Sequence, residues 1–238
     1  MKKPSMIIFD YGETLLSEPG ANFLRADEAI FKYIKNNKQG LTPKQLFDST
    51  QELFEKISVV RELGFELHEW QFLKFVFEYL EIEFSISISE LEKIYWNTAS
   101  PGAIMPNADK MLEYINSRGI RSGVISNIMW SGAALTERIS RFFPQNKFEF
   151  IIASSEYIFR KPSPMLFELA LKKAELDASE VWFCGDNAKA DVGGAAAVGI
   201  FPVWYEYEWG KNNGITPACE HLHIHDWPEL IAQLEGLM

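Results

Sequence analysis

From residue 100 onward the sequence alternates short apolar runs with helical stretches, and no other feature restricts the fold as much. "IRSGVISN", "FEFIIAS", "EVWFCGDN" and "IFPVWYE" read as strands. "WSGAALTERISRFF", "SPMLFELALKKAEL" and the short "AKADVGGAAAVG" read as the helices between them. This alternation predicts a parallel sheet covered by helices on both faces. Right-handed crossovers then leave few topologies. "NADKMLEYINSRG" predicts a helix ending at Gly119, "CEHLHIH" an edge strand, and "WPELIAQLEGL" a closing helix.

One further strand lies far from the others. In "IIFDYGETLL", the apolar run Ile7, Ile8, Phe9 meets Asp10 at once, the pattern of a buried strand ending in an acid. The sequence that follows is helical. "ANFLRADEAIFKYIKNN" has apolar residues at helical spacing, and "LTPKQLFDSTQELFEKI" starts with Thr42 as N-cap and Pro43 at the first position. "HEWQFLKFVFEYL" and "SISELEKIYWNTA" supply two more helices, with no strand predicted from 20 to 98. The first strand has to join the later sheet across this block. The expected organisation is an α/β core of residues 1–16 and 96–238, a Rossmann-like parallel sheet, with residues 17–95 inserted as a helical-bundle cap.

Chemistry in an open parallel sheet collects at the carboxyl ends of the strands. The first strand delivers Asp10 and then Thr14 there. "GVIS" delivers Ser126 and Asn127, "RKPSP" brings Lys161, and "VWFCG" delivers Asp186, Asn187 and, one turn on, Asp191. Neighbouring carboxylates repel one another unless a cation lies among them. A hard divalent ion with oxygen ligands, Mg²⁺, meets that need. Lys161 can neutralise another acid, Ser126 can hold a phosphoryl oxygen, and a carboxylate can attack phosphorus to form an aspartyl phosphate.

In that order, "FDYGETL", "VISN", "RKPSPMLFELAL" and "CGDNAKADVGGAAAVGI" resemble the four motifs of the haloacid dehalogenase superfamily. The resemblance covers about residues 5–16 and 100–205. It implies that Asp10 is the nucleophile and Lys161 the bridging cation. It also implies that Thr14, Ser126 and Asn127 bind phosphate. Asp186 would be a metal ligand, with Asn187 and Asp191 beside it, and the backbone carbonyl of residue 12 would face the metal. The helical insertion matches the family's type 1 cap, which selects substrate. Family phosphatases usually carry a second Asp two residues after the nucleophile, as general acid and base; here that position is Gly12. Such a group is worth about 10²–10⁴-fold in rate. Mg²⁺ binding and nucleophilic attack survive the change. Phosphatase action on a small phosphorylated substrate is the leading expectation. The alternatives are phosphonate or carbon–halogen cleavage, or a catalytically weak phosphoryl-binding or regulatory protein. Schiff-base phosphonate cleavage would need a cap lysine facing the site, with Lys32, Lys35, Lys44 and Lys56 as candidates.

The net charge of -10 opposes nucleic acid and anionic membrane as main partners. No apolar run approaches a membrane span, and Asp10 and Glu13 interrupt any signal core, so a cytoplasmic setting is expected. Cys184 and Cys219 match no metal spacing, and Cys184 reads as a small buried apolar residue. His221, His223 and His225 alternate along the edge strand; surface display is the default and metal binding the alternative. Burial is the default for the tract "VWYEYEW", and helix packing for Phe72, Phe75, Phe77 and Tyr79.

Overall fold

A computed structural model describes residues 2–207 and 215–237. Chain order begins with β1 (Met6–Phe9) and β2 (Leu16–Ser17), then α1 (Phe23–Phe31), β3 (Ile34–Asn37), α2 (Pro43–Glu62) and α3 (Glu69–Tyr79). Next come β4 (Ile82–Phe84), α4 (Ile88–Ala99), β5 (Ala103–Ile104), α5 (Ala108–Ser117), β6 (Arg121–Ser126), α6 (Gly132–Phe142) and β7 (Phe148–Ala153). The chain ends with α7 (Pro164–Ala174), β8 (Val181–Gly185), α8 (Gly194–Ala197), β9 (Phe201–Tyr205), β10 (Leu222–Ile224) and α9 (Trp227–Glu235).

Six strands form one parallel sheet in the order β10-β9-β8-β1-β6-β7. β1 is central, paired with β6 (Ile7 opposite Ser122) and β8 (Ile7 opposite Trp182). All four of its residues are fully buried. Ile7 and Phe9 face one hydrophobic core and Met6 and Ile8 the other, the period-two division a doubly covered strand requires. The order reverses at β1: the chain runs outward to β6 and β7, then returns to β8 on the other side. That switch opens a crevice at the carboxyl end of β1, where Asp10 lies.

Helices α1–α4 pack on a separate core that includes Ile30, Leu46, Phe72, Val76, Leu91 and Tyr95. Capping boxes at Thr42/Gln45 and Ser87/Glu90 set the starts of α2 and α4. Two findings correct the sequence reading. The first predicted helix stops at Phe31; residues 34–37 pair antiparallel with β4. Phe75 and Tyr79 do not pack inward; they are exposed and stack on each other, while Phe72 and Phe77 are buried. A second ribbon, β2 with β5, joins the two chain crossings between sheet and helices. Val203, Trp204 and Tyr205 of the aromatic tract are buried; its Glu208 and Trp209 lie outside the described residues. No helix among the described residues is long and apolar enough to cross a membrane.

Candidate active site

Asp10 follows directly on β1, its backbone N–H donating to Cys184 O at 2.8 Å. Lys161 reaches the same point from the loop before α7 and is only 4% exposed. Its ammonium donates to Asp10 Oδ1 at 2.7 Å and to Ile125 O at 2.9 Å, and forms an ion pair with Asp191 Oδ1 at 2.6 Å. The ring of Phe183 lies 5.0 Å below it. A buried ammonium is stabilised only by such complete pairing.

Asp10, Asp186 and Asp191 each place a carboxylate oxygen within 4.8 Å of the others. Burial raises Asp10 to about 6, with Lys161 pulling the other way and Asp191 adding to the rise. Burial, then Asp191 and Asp10, raise Asp186 to about 8. Asp191 can approach this closely because residue 185 is glycine; a Cβ there would meet the Asp191 carboxyl at 2.5 Å. Among the described residues the three crowded carboxyls share one ammonium, so the cluster has an excess of acidic groups. An all-oxygen donor set with that excess fits a hard divalent cation.

Asn127, at the end of β6, clamps the backbone of Lys161. Its Nδ2–H donates to Lys161 O at 2.9 Å, and its Oδ1 accepts from Lys161 N–H at 2.7 Å. Both side-chain polar atoms are therefore engaged in holding the lysine. Asn187 Oδ1 caps the turn after β8, accepting from Lys189 and Ala190 N–H, while its own N–H donates to Asp191 Oδ2 at 3.0 Å. Ser126 and Gly12 line one cavity with Asp10. Thr14 is fully buried outside that lining, its hydroxyl without a partner among the described residues. Space is open where a Cβ on Gly12 would project.

A second cavity of about 340 Å³ adjoins the first through Phe23, Asn127, Ile128 and Trp130. Phe54, Phe72, Tyr95 and Met129 give it an apolar wall, with Arg61 and Glu69 as its charged members. Lys32, Lys35, Lys44 and Lys56 all lie exposed, and none lines either cavity. Lys35 pairs with Glu83 across the β3–β4 ribbon, and Lys44 and Lys56 pair with Asp48 and Glu52 along α2.

Several site-forming residues escape sequence reasoning. Arg138, on α6, is 3% exposed. It donates to Tyr11 Oη at 2.9 Å, Glu18 Oε2 at 2.7 Å and Asn97 Oδ1 at 3.1 Å, and lies over the Trp96 ring. It thus ties the loop after β1 to α4. Glu92 of α4 accepts from Ser131 N–H and Oγ–H, both at 2.6 Å, and from Trp70 Nε1–H at 2.8 Å. Glu66 accepts from Ser154 Oγ–H at 2.8 Å and pairs with Arg61 and Arg160. These polar ties hold the helices over the strand ends. The detectable signal is position: Arg138 shares a helix face with the buried Leu135 and Ile139.

A parallel sheet with its acidic cluster at the switch point, under a helical insertion, defines an α/β protein with its site at the strand ends. Residues 7–204 match the haloacid dehalogenase-like hydrolase family, and the chain belongs to it. It is 34% identical to a glyceraldehyde 3-phosphate phosphatase of Pyrococcus abyssi over 103 residues, 43% of this chain and 42% of that protein. It is 24% identical to the protein of that name from Pyrococcus furiosus, over 87% of this chain and 82% of the relative. Among solved structures, a HAD phosphatase from Thermococcus onnurineus superposes with TM-score 0.66 at 19% identity, covering 99% of both chains. A 2-haloacid dehalogenase from Pseudomonas syringae pv. Tomato DC3000 gives 0.64 at 20%, also over 99% of both.

Proposed function

We propose that this protein is a Mg²⁺-dependent phosphatase that hydrolyses a small phosphorylated metabolite through an aspartyl phosphate at Asp10. The observation that carries this reading is the buried Lys161 ammonium bridging Asp10 and Asp191 at 2.7 and 2.6 Å, with Asp186 in the same cluster. The names of the two Pyrococcus relatives support phosphate esters as the substrate class. Asp10, Asp186, Asp191 and the Gly12 carbonyl would hold the Mg²⁺, which when bound supplies positive charge beside the phosphoryl oxygens.

The remaining chemistry belongs to the chain. Lys161 favours the ionised form of Asp10, so a carboxylate oxygen is available as nucleophile. That oxygen forms a bond to phosphorus as the bond to the leaving alkoxide breaks. Water then attacks the aspartyl phosphate, releasing inorganic phosphate and regenerating the carboxylate. Lys161 and the Ser126 hydroxyl compensate charge on the transferring group. Asn127 acts by positioning Lys161. With glycine at position 12 the alkoxide must take its proton from water, which favours substrates with good leaving groups. Helices α1–α4 act as the cap, so the domain expected at residues 17–95 would extend to the end of α4 at Ala99. The adjoining aromatic cavity receives the non-phosphate part of the substrate.

Among the described residues that line the two cavities there is no cap lysine, which weighs against Schiff-base phosphonate cleavage. The test is phosphate release from a panel of phosphorylated metabolites, with Mg²⁺ and with a chelator. Release that needs Mg²⁺ and disappears in Asp10→Asn supports the assignment. Release that persists in Asp10→Asn, or none from any member of the panel, overturns it.

A further inference from the structure

We propose that Glu206, His223 and His225 form a second metal site, specific for a zinc-type transition-metal ion and distinct from the carboxylate cluster. His223 and His225 are two residues apart on and just beyond β10, so both rings project from the same side of the edge strand. Glu206 follows β9, the neighbouring strand, and is brought level with them by its N–H bond to Ile224 O at 2.9 Å. One donor atom from each of the three side chains lies within 4.8 Å of the other two.

His223 Nε2 and Glu206 Oε2 are hydrogen-bonded at 2.9 Å, and a zinc ion replacing that proton would widen the pair to the edge of a tetrahedron, roughly 3.3 Å for bonds of about 2.0 Å. The ring centroid of His225 lies 4.5 Å from that of His223, and its side chain is exposed. Its Nδ1 faces Glu229 Oε2 across 3.8 Å, and that oxygen accepts from the His225 backbone N–H at 3.0 Å. Among the described residues no lysine or arginine pairs with Glu206 or Glu229. Two imidazoles and a carboxylate suit zinc, nickel or copper; the all-oxygen cluster at Asp10 suits Mg²⁺.

The strand beneath is rigid where it matters. The His223 ring stacks on Trp204 at 4.4 Å, and Trp204 Nε1–H donates to Asp186 O at 2.9 Å. An ion here would join the end of β9 to β10, the sheet's edge, and so stabilise the folded chain by mass action.

The experiment is a calorimetric zinc titration of the whole protein in saturating Mg²⁺, which keeps the carboxylate cluster occupied, together with melting temperature with and without zinc. One zinc per chain is expected. Its affinity should fall about tenfold or more in His223→Ala and in His225→Ala, and less in Glu206→Gln. It should be retained in Asp186→Asn. Zinc should raise the melting temperature of the wild type and not that of the histidine variants, whose Mg²⁺-dependent turnover should be unchanged. No zinc binding by the wild type overturns the proposal. So does binding that survives His223→Ala/His225→Ala or is lost in Asp186→Asn.

Discussion

Asn127 holds Lys161 by the backbone on both sides, accepting from its N–H at 2.7 Å and donating to its carbonyl at 2.9 Å. The ammonium at the far end of the same residue reaches Asp10. Removing the clamp should let the lysine drift without removing any group that touches substrate. Two buried hydrogen bonds are worth about 2 kcal/mol together, about thirtyfold in a rate that depends on their geometry. Asn127→Ala should therefore lower kcat by about that factor and leave KM for an aryl phosphate nearly unchanged. A rise in KM with kcat intact would instead assign Asn127 to phosphate contact.

Among the described residues Lys161 is the one ammonium balancing Asp10 and Asp191. Lys161→Met leaves buried carboxyls without a partner, a loss of about 3–5 kcal/mol in comparable cases. A divalent ion at the cluster would offset part of this. Added Mg²⁺ should accordingly raise the melting temperature of Lys161→Met by more than that of the wild type. An equal response in the two proteins would place the Mg²⁺ elsewhere.

The sheet was legible because its central strands are short and apolar. "MIIF" and "VWFCG" carry no charged residue, are completely buried, and are each followed at once by an acid, Asp10 and Asp186. The rim followed from the sheet, and the structure brings Asp10, Lys161, Asp186 and Asp191 together. What stayed hidden depends on tertiary context. β3, "IKNN", is a polar segment of an isolated pair and carries no period-two signal. Asp27 and Glu69 look like ordinary surface charges, yet both are buried. Asp27 shares the buried stripe of α1 with Ala26 and Ile30, which is the only local hint of its position. Asn127 and Asn187 read as site groups from their place on the rim; nothing in the sequence tells that their side chains also bind backbone.

Glu69 provides a pH test. It lines the cap-side cavity, and burial, with Glu92 adding, raises it from an ordinary 4.5 to about 8. Below about pH 4.5 it is protonated folded or unfolded and has no effect. Between 4.5 and about 8 the unfolded chain loses this proton while the folded chain keeps it, so stability falls as pH rises. Asp27, raised to about 7 by burial, acts in the same direction. Glu69→Gln preserves shape and removes the titration. It should melt at a higher temperature than the wild type at pH 8, with the gap closing toward pH 4.5. A gap independent of pH would show that the folded Glu69 titrates normally.

Gly12 tests the chemistry most directly. It lines the cavity beside Asp10, and the space a Cβ would occupy is open, so a side chain can be accommodated there. In Gly12→Asp a carboxyl stands two residues from the nucleophile, where it can protonate the departing oxygen and later draw a proton from water. A general acid matters in proportion to the basicity of the leaving group. Alkyl phosphates should gain about 10²-fold or more in kcat/KM, whereas aryl phosphates, whose phenolates leave unaided, should change little. The slope of log kcat/KM against leaving-group pKa should flatten in the variant. Equal acceleration of both series, or a parallel displacement of the two lines, would mean that the added carboxyl works through the metal or through binding, and that leaving-group protonation is not what glycine at this position costs the enzyme.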